Sequence, residues 1–173
     1  MKTLISIFTA SLLFAGTLLN LTPGSADNSD KRADAEMFEK AVELIKKYET
    51  LHQPRHYPLV GYGHLVMPGE KFSRSKAMGE AAAEKLLRKD LLKNCAVFRQ
   101  YGKDSLILGV LAYNVGSGTV LRSSLLKKIA AGNRDIESLY LSFCKFRGRP
   151  HSGLKKRRIE EFKTLFLTDT VIS

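Results

Sequence analysis

Cysteine is scarce in this chain: Cys95 and Cys144 stand alone among 173 residues. Two cysteines are too few for a disulfide framework, and with no histidine cluster beside them they do not make a zinc site. The four histidines are scattered, no glycine-rich loop of the phosphate-cradling kind is present, and no segment repeats another. The expectation is therefore a protein with no metal and no organic cofactor. Acidic residues are also short, 17 against 28 Lys and Arg, for a formal charge of +11. Such an imbalance favours a polyanionic partner: nucleic acid, anionic lipid or an anionic cell-wall polymer.

What is present begins with an N-terminal address. Lys2 precedes an apolar run, Leu4–Leu21, interrupted by Ser6, Thr9, Ser11 and Thr17, and Pro23, Gly24, Ser25 and Ala26 then supply a break and small residues. Residues 1–26 read as a signal peptide, or as an inner-membrane anchor if the segment stays uncleaved. Either way the protein is exported, to the periplasm or the extracellular space. Export makes nucleic acid a poor partner and leaves the anionic wall or a membrane surface. Cys95 and Cys144 then have two readings, one disulfide in an oxidising compartment or two buried thiols acting as small hydrophobes.

The remaining hydrophobic content, 44% over the whole chain, suffices for one core. Residues 27–35 are polar and aperiodic and read as a linker, residues 36–168 as one folded domain, and residues 169–173 as a tail. Ala41, Leu44, Ile45 and Tyr48 follow the i, i+3, i+4, i+7 pattern of a helix that ends near Glu49–Thr50, before Pro54 and Pro58. Prolines, glycines and apolar residues alternate at short range within residues 54–72, the pattern of a small irregular β lobe. A helix is expected over Glu80–Arg99, a buried one over Leu106–Asn114, and a third over Leu125–Ala131, capped by Ser123 or Ser124 and closed by Gly132. Two more are expected, from Asp135 toward Phe146 and over Gly153–Phe166. The fold class is α+β, mainly α: a small β lobe, a long connecting helix and a helical C-terminal lobe, with a cleft between lobes.

Four stretches carry a resemblance. They are Ile45-Lys46-Lys47-Tyr48-Glu49; Val60-Gly61-Tyr62-Gly63-His64; Ala112-Tyr113-Asn114-Val115-Gly116-Ser117-Gly118 with Ser124–Gly132; and Gly153-Leu154-Lys155-Lys156-Arg157-Arg158-Ile159-Glu160-Glu161. In this order, over about residues 37–166, the chain resembles the phage-type lysozyme family. The resemblance implies a monomeric two-lobed glycoside hydrolase acting on peptidoglycan glycan strands, with Glu49 as the general acid. Glycoside cleavage needs a protonated carboxyl to hand its proton to the leaving oxygen. Gly61, Tyr62, Gly63 and Asn114 would then line the substrate cleft, although Asn114 also reads as a satisfied core amide.

The chain departs from the family where the family carries an aspartate after the glutamate and a threonine before the glycine strand. Thr50–Gly63 contains no acid, and Pro58 or Leu59 stands in the threonine's place. Three routes stay open: His56 or His52 handles the attacking water, with His56 nearer the expected position; Glu70 swings back as a second acid; or Glu49 works alone, giving a lytic-transglycosylase-like product. Loss of turnover, leaving a wall-binding protein, is a further alternative. Both histidines also read as surface loop residues. His64 is expected to pair with Asp90, and Lys155–Arg158 to form mostly a solvated basic face, with Arg157 or Arg158 as candidates to meet the glutamate.

Overall fold

A computed structural model describes residues 26–167. Residues 1–25 of the expected leader (1–26) and the whole of the expected tail (169–173) lie outside the described residues. Among the described residues no helix is long and apolar enough to cross a membrane.

Helix α1 (Ala26–Glu49) buries Ala41, Val42, Leu44 and Ile45, the stripe read from the sequence. It starts earlier than expected, because residues 27–35 are helix and not linker. Residues 28–36 are exposed on all sides, so no apolar period marks them. Extending a formed helix adds one hydrogen bond for each residue fixed, without a new nucleus. The β lobe follows as a 3-10 turn at Pro54–His56 and a hairpin of β1 (Leu59–Val60) and β2 (His64–Leu65). Leu59 pairs with Leu65 and Val60 with His64.

Helix α2 (Glu80–Val97) connects the lobes and runs on into a 3-10 segment, Arg99–Asp104. Helix α3 (Ser105–Val115) sits at the centre, with Ile107, Leu108, Val110, Leu111 and Ala112 buried. Its Gly109 lets α2 approach closely: a Cβ there would lie 2.5 Å from the Cys95 Sγ. Helices α4 (Ser117–Leu121) and α5 (Ser124–Ala130) follow, the latter capped by Ser123, whose Oγ accepts from the Leu126 amide at 3.2 Å.

The helix expected from Asp135 to Phe146 is shorter, α6 (Glu137–Leu141), and gives way to a hairpin of β3 (Lys145–Phe146) and β4 (Arg149–Pro150). Arg147 and Gly148 turn it with φ of 49° and 78°, the positive pair that a two-residue hairpin turn requires. Helix α7 (Ser152–Leu165) closes the fold against α1, α3 and α6. The expected disulfide is not formed: both cysteines are free. Cys95 packs at the α2–α3 crossing, where burial pushes its thiol up to about 11, while Cys144 precedes β3.

His64 ties the β lobe to α2 as expected. Its Nδ1 meets the Asp90 Oδ2 at 2.6 Å, and its Nε2 meets the Glu70 Oε2 at 2.8 Å. Burial pulls the imidazole pKa down, but the hydrogen bonds and charges of Glu70 and Asp90 outweigh it, and the value lies above the ordinary 6.5. A raised folded-state pKa stabilises fully below the unfolded value and fades as pH rises through the folded one. The Tm lost in Asp90→Asn is therefore expected to be larger at about pH 6 than at about pH 9, with an NMR-titrated His64 pKa that falls toward 6.5 in the variant. An equal loss at both pH values contradicts this account. A second prediction concerns the end of α1, where Thr50 takes φ of 53°, a left-handed conformation that costs a side-chain-bearing residue about 1–2 kcal/mol. Thr50→Gly is expected to raise stability by about 1 kcal/mol and Tm by roughly 2–4 °C in thermal unfolding.

Candidate active site

The last residue of α1 is Glu49, and the left-handed turn at Thr50 sends the chain back toward the β lobe directly after it. This carboxylate is thereby fixed where the two lobes meet, with its side chain 20% exposed. Its oxygens have different surroundings. Oε1 accepts from the Arg157 Nη1 at 2.6 Å and from the Asn114 Nδ2 at 3.4 Å. Oε2 faces Gly63, lying 3.4 Å from the place where a side chain at that position would begin. Gly63 has φ of 96°, and any larger residue there would press on the carboxyl as well as strain the backbone.

Behind Glu49 lies a buried polar layer that helix α7 supplies. Arg157 also donates from Nε to the Glu161 Oε1 at 2.8 Å, and Arg158 donates from Nη2 to the same oxygen at 2.9 Å and to the Asn114 Oδ1 at 3.3 Å. Tyr140 donates its hydroxyl to the Glu161 Oε2 at 2.9 Å. Arg157, Arg158 and Glu161 are all buried. Burial works against the Arg157 guanidinium, but the charges of Glu161 and Glu49 outweigh it and hold its pKa above the ordinary value. At Arg158 burial prevails and the pKa is lowered. The expected solvated basic face is thus confined to Lys155 and Lys156, which are exposed. The arginines turn inward because Glu161, three and four residues on, offers both of them a buried counter-charge.

The layer continues to the neighbouring helices. Asn114, half-buried at the end of α3, reaches both Glu49 and Arg158. Lys47 and Tyr48 hold Glu160 at 2.5 and 2.6 Å, which clamps α7 against the end of α1 and keeps Arg157 opposite Glu49.

The other expected cleft residues divide. Gly63 borders Glu49, but Gly61 faces the other way, with Ala83 of α2 at 3.4 Å from where its Cβ would be. Tyr62 is buried, its hydroxyl directed to the Glu80 Oε1 at 3.3 Å and its carbonyl accepting from the Tyr113 hydroxyl at 2.9 Å. Residues 61–63 are the turn between β1 and β2, and the positive φ of Gly61 (58°) and Gly63 (96°) takes them out of strand alternation. Past Gly63 an open cleft of about 270 Å³ is lined by His64, Leu65, Asp90, Lys93, Asn94 and Tyr113.

The three candidate partners also separate. Glu70 is engaged by the His64 Nε2 and by the Met67 amide at 2.9 Å, and so does not swing toward Glu49. His56 is exposed and turned into its own 3-10 turn, its Nδ1 accepting from the Gln53 amide at 3.0 Å and its Nε2 facing the Arg55 Nε at 3.2 Å. The histidine beside Gly63 is His52, whose Cε1 lies 3.9 Å from the Gly63 side-chain position. Counting along the chain favours His56, whereas the tight turn after Glu49 brings the earlier residue back. Among the described residues no group of three or more metal-binding side chains comes together.

Comparisons with known proteins bear on the fold and the family of the chain. An endolysin of Bacillus phage B103 is 35% identical over 145 residues, an alignment covering 73% of this chain and 52% of that protein. The chain therefore spans about half the length of this relative. Among solved structures, the endolysin from Escherichia coli O157:H7 phage FAHEc1 superposes with a TM-score of 0.61 at 22% identity, covering 73% of this chain and 90% of that one. The muramidase domain of SpmX from Asticaccaulis excentricus does so with a TM-score of 0.60 at 22% identity, covering 75% and 96%. At that identity these two speak for the fold, which is the two-lobed fold described above. The profile of the phage lysozyme family matches residues 40–161, a span that contains Glu49, the glycine hairpin, Asn114 and the Arg157–Glu161 layer, and the chain belongs to that family.

Proposed function

We propose that this protein is a glycoside hydrolase that cuts the β-1,4 bond between N-acetylmuramic acid and N-acetylglucosamine in peptidoglycan, with Glu49 as the general acid. The observation that carries the reading is the asymmetry of the Glu49 carboxyl. Arg157 and Asn114 hold Oε1 from behind, and Oε2 faces the groove at Gly63. A carboxyl anchored by one oxygen and open at the other delivers a proton in one direction, toward whatever occupies the groove. Proton transfer from a positioned acid contributes roughly 10²–10⁴-fold to such a reaction.

The rest of the chain is consistent with that substrate. A leader or anchor at residues 1–26 would place the domain in the periplasm or outside the cell, where peptidoglycan is. The +11 charge favours approach to an anionic wall. Peptidoglycan glycan strands are the partner, nucleic acid is not one, the chain acts as a monomer, and neither metal nor cofactor enters.

Digestion of purified peptidoglycan followed by mass spectrometry of the fragments tests the reading. The wild-type protein is expected to release muropeptides ending in a reducing muramic residue, and Glu49→Gln to lower the rate by roughly 10²-fold or more while keeping its fold. Equal release by both proteins removes Glu49 from the reaction. Fragments ending in 1,6-anhydromuramic acid mark transglycosylation, and tight sedimentation with sacculi without any release marks a wall-binding protein.

A further inference from the structure

Hydrolysis needs a second group, because the attacking water must lose a proton as the sugar–oxygen bond breaks. The carboxylates nearest the site are engaged elsewhere. Glu70 and Asp90 are bound to His64, Glu161 is buried under Arg157, Arg158 and Tyr140, and Glu160 is held by Lys47 and Tyr48. No acid occurs between Glu49 and Gly63.

His52 stands in that gap. Its backbone amide donates to the Gly61 carbonyl at 2.8 Å, which fixes the residue to the glycine hairpin. Its ring and the Glu49 carboxyl converge on one point above Gly63, Cε1 at 3.9 Å and Oε2 at 3.4 Å. The two atoms are therefore at most about 7 Å apart, so both groups border the same point of the groove. The ring Nδ1 is enclosed and has no hydrogen-bond partner, so Nε2 is the nitrogen left open to a water. The charged and titratable groups around it are Glu49 on α1, His56, edge-on at 5.1 Å between ring centres, and Tyr57 and Lys76, which line the same hollow, the latter from the loop before α2.

We propose that His52 is the general base of the reaction and takes the place of the carboxylate this chain lacks. The proposal rests on the reading of Glu49 as the acid. With the neutral ring protonated on Nδ1, Nε2 accepts a proton from a water held above Gly63. The water oxygen bonds to C1 of the muramic residue on the face opposite the leaving group. The C1–O4 bond breaks with its electron pair going to O4, and Glu49 gives O4 its proton. The products are a muramic end of inverted, α configuration and a free 4-hydroxyl on the glucosamine. His52 is then an imidazolium and Glu49 a carboxylate, and one proton passed back through solvent resets both.

Three measurements on the full chain acting on purified peptidoglycan test this. In His52→Gln, kcat is expected to fall roughly 10²–10⁴-fold with KM changed less than about threefold and Tm unchanged, and the acid limb of the kcat–pH profile to disappear. In His52→Ala, sodium azide is expected to restore turnover and to yield an α-muramyl azide detectable by mass spectrometry, since azide attacks without surrendering a proton. NMR of fresh wild-type product is expected to show the α anomer first. The proposal falls if His52→Gln keeps more than a third of wild-type kcat while Glu49→Gln is inactive. It falls also if wild type makes 1,6-anhydro ends or the β anomer, or if His56→Gln is the variant that loses turnover and regains it with azide. A loss in His52→Gln without azide rescue and with the pH profile retained assigns His52 to positioning the hairpin alone. In each of these cases Glu49 still stands as the acid, whereas a wild type that releases nothing overturns both readings.

Discussion

A guanidinium shut away from water must find negative charge, and Arg157 finds it twice, in Glu161 on its own helix and in Glu49 at the end of α1. With Glu161 buried beside it and Glu49 at the groove, the guanidinium is compensated on two sides. The ion pair therefore does two things at once. It holds α7 to α1 across the helical lobe, and it sets which carboxyl oxygen is bound from behind and which faces the groove. Arg158 shares the Glu161 Oε1 with Arg157, Tyr140 takes the Oε2, and Asn114 braces Glu49. Several guanidinium nitrogens there, the Arg157 Nη2 and the Arg158 Nε and Nη1, have no protein partner. Polar atoms of that kind are what ordered water satisfies in an interior.

The β lobe is organised by a different constraint, close backbone approach. Gly61 lies against Ala83 and Gly63 against Glu49, so the short hairpin is pressed between α2 and the end of α1. Tyr113 and His64 then hold the hairpin in place, the first through the Tyr62 carbonyl and the second through Asp90. The groove thus has one wall anchored through hydrogen bonds to α2 and α3 and the other through the ion pair to α7. Its geometry depends on contacts that come from four separate stretches of the chain.

Much of this was legible in the residues. Stripes of apolar residues located α1 and α2, since a helix that buries one face must repeat every three to four positions, and an unbroken apolar run located the buried α3. The Ser123 cap, the Gly132 stop and the His64–Asp90 pair were also readable, because each depends on local chemistry. Two signals were present and went unread. Arg147-Gly148 before Pro150 is a two-residue turn in front of a helix-breaking residue, and it marks the β3–β4 hairpin. Arg158, Glu161 and Leu165 follow the i, i+3, i+7 spacing of a buried stripe, filled by two charges where apolar residues would be usual.

The sequence alone determined most of the helices, a glutamate at the end of the first, and the absence of another carboxylate between it and Gly63, because periodicity and composition are properties of the chain in one dimension. Only the tertiary structure decided which side chains share the groove. Whether a histidine three or seven residues past Glu49 comes to face Gly63 depends on the left-handed turn at Thr50 and on the Gly61 carbonyl that captures the His52 amide. Whether arginines lie in water or beneath the acid depends on which helix packs over them. Those outcomes come from contacts between residues far apart in the chain, which no local pattern encodes.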